Sequence, residues 1–119
     1  MDWNLRYKIR IMKNIFDIEN LSFGNEEIFE NLFDDNEVRI ERIISSGQRT
    51  PEGEWLCEDE NEWVLLLQGN SSIKYESGEK FDLKKGDYLF IPSNTKHRVD
   101  FTSVNPHCIW LAVHMRLKK

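Results

Sequence analysis

Between residues 38 and 117 the chain divides into short segments in which apolar residues recur at every second position. Each segment is closed by glycine, proline or a run of asparagine, aspartate and serine. A period of two marks a strand with one buried face, and short strands separated by regular turn signals belong to a sandwich or barrel. Strands are expected at 38–44, 55–57, 62–67, around Ile73 and Tyr75, around Phe81 and Leu83, and at 88–91, 97–101 and 108–117. The stretch 45–53, with Gly47 and Pro51, reads as a loop.

Two further elements are expected ahead of these strands. Residues 3–11 alternate strictly, with Trp3, Leu5, Tyr7, Ile9 and Ile11 on one side and Asn4, Arg6, Lys8 and Arg10 on the other. This is either an added edge strand, able to pair with a partner chain, or a segment upstream of a start at Met12. Asn25, followed by two glutamates and the stripe Ile28, Phe29, Leu32, Phe33, reads as a short capped helix. With 119 residues the chain fits one domain, in which 1–36 carry the strand and helix and 37–117 the barrel.

Charge and composition exclude several classes. A net charge of −5 lacks the positive field that nucleic-acid binding needs. The basic residues near the two ends are too sparse for a polybasic anchor and read as solvated surface. There is no apolar leader and no run long enough to span a bilayer. Cys57 and Cys108 have no metal-type spacing and form no disulfide framework. A cytoplasmic protein with two reduced thiols is the expectation.

Two stretches resemble known motifs. The run from Gly86 to His97 is similar to the second cupin motif: a glycine, five residues, Pro92, and a histidine five residues on. The motif's next glycine is Asn94 here, which also visits the left-handed region, and its trailing asparagine is Phe101. Glu62 followed by six residues and Gly69 is similar to the second half of the first cupin motif. The motif's histidine pair is missing, its positions falling on Trp55 and Cys57, or on Leu56 and Glu58 if the gap is one shorter. The resemblance spans about residues 38–115 and implies an all-β jelly-roll barrel of the small, single-domain bacterial cupin type.

It also implies where chemistry would lie. Metal-binding cupins gather three histidines and a glutamate on one divalent ion, such as Zn, Fe, Mn or Ni. Here the matching positions supply Glu62 and His97, and Cys57, Glu58 and His114 are the candidate replacement donors. Cys57 has the best positional claim, although a lone cysteine in a barrel often serves only as a small hydrophobe. Glu62 is a ligand or general base in an apolar pocket, or a carboxylate paired with an arginine. His97 is a proton-transfer group, a metal ligand or a hydrogen-bonded core residue.

Four further residues are candidate ligand contacts. His114 shares a face with Trp110 and Ala112. Arg42 alternates with Val38, Ile40 and Ile44, and either binds a substrate anion or pairs with an interior acid. Trp55 and Trp110 stack on a flat ligand or fill core. The expected function is small-molecule binding around Glu62 and His97. A metal-dependent dioxygenase or isomerase, and a metal-free isomerase resembling the cupin-like sugar-nucleotide epimerases with His97 as base, are the alternatives. Apolar residues on both faces of 62–67 suggest a homodimer.

Overall fold

The structure, a computed structural model, describes residues 12–116. The alternating segment 3–11 lies outside them. Eight strands form two antiparallel sheets that face each other as a jelly-roll barrel. In chain order they are β1 (Ile28–Asp34), β2 (Val38–Ser45), β3 (Asn61–Gln68), β4 (Asn70–Tyr75), β5 (Lys80–Lys84), β6 (Tyr88–Ile91), β7 (His97–Thr102) and β8 (Cys108–Met115). The larger sheet runs β1-β2-β8-β3-β6 and the smaller β5-β4-β7. Val64, Leu66, Ile73, Leu83, Ile91, Cys108, Trp110 and Ala112 fill the space between the sheets.

The helix expected from Asn25 onward is a strand. β1 pairs antiparallel with β2 from Ile28 opposite Ile44 to Asp34 opposite Arg39, with a bulge between Asn31 and Phe33. β2 would otherwise present an unpaired row of amides and carbonyls, and β1 satisfies them. A helical stripe also needs apolar surface to cover, whereas Phe29, Leu32 and Phe33 all remain largely exposed. The expected strand at 55–57 shrinks to a single bridge, in which Leu56 and His97 exchange backbone hydrogen bonds of 2.7 and 3.0 Å.

Two local irregularities set the orientation of side chains. In β7, Val99 pairs with Ile73 but Phe101 pairs with Ser72, so the register slips by one residue. His97 and Val99 therefore face the interior while Phe101, expected on the same face, is exposed. At Gly69 (φ 94°) a Cβ would meet the Cα of Cys108 at 2.9 Å and Oγ of Ser103 at 2.8 Å. The motif glycine there serves both a left-handed turn and the close approach of β8.

The inner face of β2 carries Glu41 and Ile43, which line the barrel cavity. Arg42, by alternation, points the other way. Its guanidinium donates to Glu30 (2.5 Å) and to the carbonyls of Ile15 (2.9 Å) and Asp17 (2.8 Å). The expectation that Arg42 meets a ligand inside the barrel is thus corrected: it ties the segment before β1 across the outer face.

Candidate functional site

A cavity of about 320 Å³ opens between the two sheets. Its apolar wall comes from Ile43, Val64, Ile73, Ile91, Val99 and Trp110, and its polar wall from Glu41, Glu58, Glu62, His97 and His114. Wider, more open depressions elsewhere, such as that beside Lys80, Asp82 and Tyr88, lie apart from these groups.

Each polar side chain is placed by strand register. Glu62 of β3 stands opposite Ile91 of β6 on one side and His114 of β8 on the other. His97 enters from the opposite sheet, and its Nε2 lies 3.9 Å from Oε1 of Glu62. Nδ1 of His97 is 2.8 Å from the carbonyl oxygen of Thr95. A carbonyl only accepts, so Nδ1 carries the proton and, in the neutral ring, Nε2 turns its lone pair to the cavity. Burial pushes the Glu62 carboxyl above the usual range, against the opposing charge of His114.

His114 is 3% exposed and surrounded by carboxylates. Its Nε2 lies 2.8 Å from Oε1 of Glu41 and 3.8 Å from Oε2 of Glu62. Its Nδ1 lies 3.3 Å from Oε2 of Glu58 and 3.9 Å from Oε1 of Glu60, yet makes no aligned hydrogen bond with either. Burial pulls the imidazole down, but contact with Glu58, the charge of Glu62 and the bond to Glu41 together leave it raised. Contact with His114 in turn holds the Glu58 carboxyl below its usual range, outweighing partial burial. Arg39 reaches Glu41 at 2.9 Å and Glu60 at 3.3 Å, and Arg116 reaches Glu60 at 3.2 Å.

The mouth is held by a second arginine. Arg98, buried on β7, donates to the carbonyls of Thr50 (2.7 Å), Pro51 (3.1 Å) and Glu54 (3.1 Å) and to Asp100 (2.6 Å). The amide of Asn94 (φ 59°) donates to the Glu58 carbonyl at 2.6 Å. The loop carrying Leu56 and Glu58 is thereby fixed against β7, and Asn94 adopts the left-handed conformation of the motif glycine it replaces.

Of the residues singled out from the sequence, Glu62, His97, Trp110 and His114 line one cavity. Trp55 and Cys57 do not. Trp55 lies under the Arg98 guanidinium at 6.0 Å, and Cys57 is exposed. Leu56 and Glu58, the residues at the shorter-gap positions, line it.

Glu41 and Glu60 were not foreseen. Alternation along β2 placed Arg42 on an apolar face without saying which face was inner, and nothing in the spacing distinguished Glu60 from a surface acid. The three histidines and one glutamate of the motif do not fit this chain, because neither Trp55 and Cys57 nor Leu56 and Glu58 supply the histidine pair, and Trp55 and Leu56 offer no ligand atom. Cys57 is equally unsuited by its place outside the cavity.

Two antiparallel sheets closed over an inward-facing histidine–carboxylate cavity define a jelly-roll barrel of the cupin type. The chain belongs to the cupin family: residues 45–114 match the family described as Cupin domain. Among solved structures it is similar to a candidate mannose-6-phosphate isomerase from Ralstonia eutropha JMP134, with 34% identity and a TM-score of 0.82 over 89% of this chain and 98% of that one. A cupin superfamily protein from Desulfitobacterium hafniense DCB-2 shares 18% identity and a TM-score of 0.68, covering 81% and 83% of the two chains. An RmlC-like cupin with a double-stranded β-helix fold from Methanocaldococcus jannaschii shares 17% and 0.63, covering 78% and 83%. These last two likenesses concern the fold alone. No curated protein matches the chain significantly.

Proposed function

We propose that this cupin binds a small hydroxylated or cationic molecule in its barrel, held between Glu62, His97 and Trp110. The observation that carries the reading is the pair His97 Nε2 and Glu62 Oε1, 3.9 Å apart across a cavity with apolar walls. An acceptor nitrogen beside a buried carboxyl suits hydroxyl or amine groups, and the Trp110 ring suits the flat face of a sugar. The lining also holds Glu27, Glu41, Glu54, Glu58 and Glu62 against a single arginine, Arg49. Such a field repels a phosphate dianion. The Ralstonia protein's name points to a phosphorylated sugar, whereas the ligand proposed here is an unphosphorylated sugar, polyol or amine.

Calorimetry against neutral sugars, amino sugars and sugar phosphates tests this. Unphosphorylated compounds should bind, and H97A and E62Q should each weaken them at least about tenfold, or about 1.4 kcal/mol. Binding confined to phosphates, or unaffected by either substitution, overturns the reading.

A second reading makes the site a metal-free isomerase. Burial pushes the Glu62 carboxyl up while Nε2 of His97 is free to accept, which sets a carboxyl that holds its proton more tightly than usual beside a base in one cavity. Nε2 would take a carbon-bound proton beside a sugar carbonyl and Glu62 would protonate the carbonyl oxygen. Deuterium incorporation into the sugar in D2O, abolished by H97A, supports it; no incorporation with a bound sugar rejects it.

We further propose that the protein works in a reducing compartment, the cytoplasm, with Cys57 and Cys108 as free thiols. No helix among the described residues is long and apolar enough to cross a membrane. The outer face of the larger sheet is proposed to carry a second copy of the chain.

A further inference from the structure

We infer that Glu58, Glu60 and His114 form a divalent-metal site at the rim of the barrel, displaced from the position the cupin motifs would give it. Among the described residues these three are the set of His, Cys, Asp and Glu donors whose ligand atoms lie within 4.8 Å of one another. A group of acids alone would mean little. The independent observation is Nδ1 of His114, a buried polar atom without an aligned hydrogen bond, facing Oε2 of Glu58 at 3.3 Å and Oε1 of Glu60 at 3.9 Å.

The other ring nitrogen explains why Nδ1 suits an ion. Nε2 lies 2.8 Å from the Glu41 carboxylate, which can only accept when ionised. In the neutral ring the proton therefore sits on Nε2 and the lone pair on Nδ1. A histidine that donates one N–H to a carboxylate while the other nitrogen binds the ion is the usual outer-shell arrangement of metal-binding imidazoles.

Charge points the same way. Glu41, Glu58 and Glu60 surround His114, with Arg39 reaching Glu41 and Glu60, Arg116 reaching Glu60, and no arginine ion-paired to Glu58 among the described residues. Such surroundings favour a cation over an anion beside Nδ1. One imidazole and two carboxylates, with a coordination position open, suit zinc. The half-exposed Glu58 gives the ion a path from solvent.

The site shares Glu58 and His114 with the ligand cavity but does not use His97, and Glu60 is not part of the ligand reading. The two readings therefore fail separately. The chelator-stripped full chain should be dialysed against Zn2+ and the bound metal measured. About one equivalent is expected, with E58Q and E60Q each weakening retention at least about tenfold. Both variants alter groups at the rim, and an unchanged far-UV spectrum shows that they fold. In 15N spectra, Zn2+ should shift Nδ1 of His114 and leave His97 in place.

Retention below about a tenth of an equivalent overturns the site. So does retention that survives both E58Q and E60Q, or one lost only in H97A and E62Q. Ligand calorimetry repeated in chelator reads the His97–Glu62 pocket by itself.

Discussion

Glu62 and His97 belong to strands of different sheets, and their side chains meet at 3.9 Å only because β3 and β7 face each other across the barrel. That spacing is too long for a direct hydrogen bond and short enough for one ligand atom to contact both. Nδ1 of His97 is occupied by the Thr95 carbonyl, so the ring presents Nε2 in one orientation. A histidine fixed in this way is preorganised before any ligand arrives, which reduces the entropy lost on binding.

Arg98 is expected to matter to both stability and binding. It is buried and donates to three carbonyls of the 50–54 loop. Truncation leaves those acceptors and Asp100 without their partner, so R98A should cost about 3 kcal/mol or more in urea unfolding. R98K keeps the charge but not the planar fork, and should recover only part of the loss. A loss under about 0.5 kcal/mol would show that the loop holds itself.

The two motif glycines should differ. Gly69 and Gly86 both have positive φ, but a Cβ at Gly86 meets nothing within 4 Å, whereas one at Gly69 strikes the β8 backbone. G86A should cost about 1–2 kcal/mol, the left-handed penalty alone. G69A should cost clearly more, because β8 must shift and with it Trp110 and His114. Equal unfolding midpoints for the two variants would contradict the close approach.

Much of this arrangement was legible in the chain, for identifiable reasons. Alternation along β7 is a local property that sets His97 with Val99, and the motif resemblance turns Glu62 inward; Trp110 and His114 stay open between core and pocket because both faces of β8 are apolar. The φ of Asn94 matches the left-handed glycine it replaces in the motif. What alternation cannot supply is which face of a strand is the inner one when both are apolar, and so Arg42 was placed in the cavity instead of Glu41. Nor can it foresee a register slip, which carried Phe101 outward, or an edge strand chosen by the hydrogen-bonding needs of β2, which replaced the helix expected over 25–33.

Acid stability should depend on Asp87 in the turn before β6. Its carboxylate accepts from the Lys84 amide at 2.9 Å, and this bond, more than the nearby Lys84 charge, holds it below its ordinary value of 3.8 despite slight burial. A carboxylate with a depressed folded-state pKa contributes stability that is present above 3.8 and lost as pH falls through the lower folded value. D87N can still accept the bond but does not titrate. Wild type should therefore lose more of its thermal midpoint than D87N between pH 5 and the most acid pH at which it folds, roughly two to three units lower. Parallel curves would remove Asp87 from the acid response.

The outer face of the larger sheet leads to the last prediction. Trp63 packs on Tyr88 with ring centroids 5.5 Å apart, beside half-buried Leu65, Leu111 and Val113. Yet Tyr88 is 67% and Phe90 49% exposed. Apolar side chains clustered in this way, rather than scattered singly, are the kind of surface on which association is expected. A sheet face covered by the same face of a second copy makes a closed, two-fold interface with no free repeat left to propagate. Light scattering after size exclusion should give a dimer at micromolar concentration. Y88K and F90K should shift it to monomer with the ligand cavity intact, because both side chains point away from the interior, unlike Leu89 and Ile91 beside them. A wild-type monomer would leave this face without a partner, and a dimer surviving both substitutions would place the interface elsewhere.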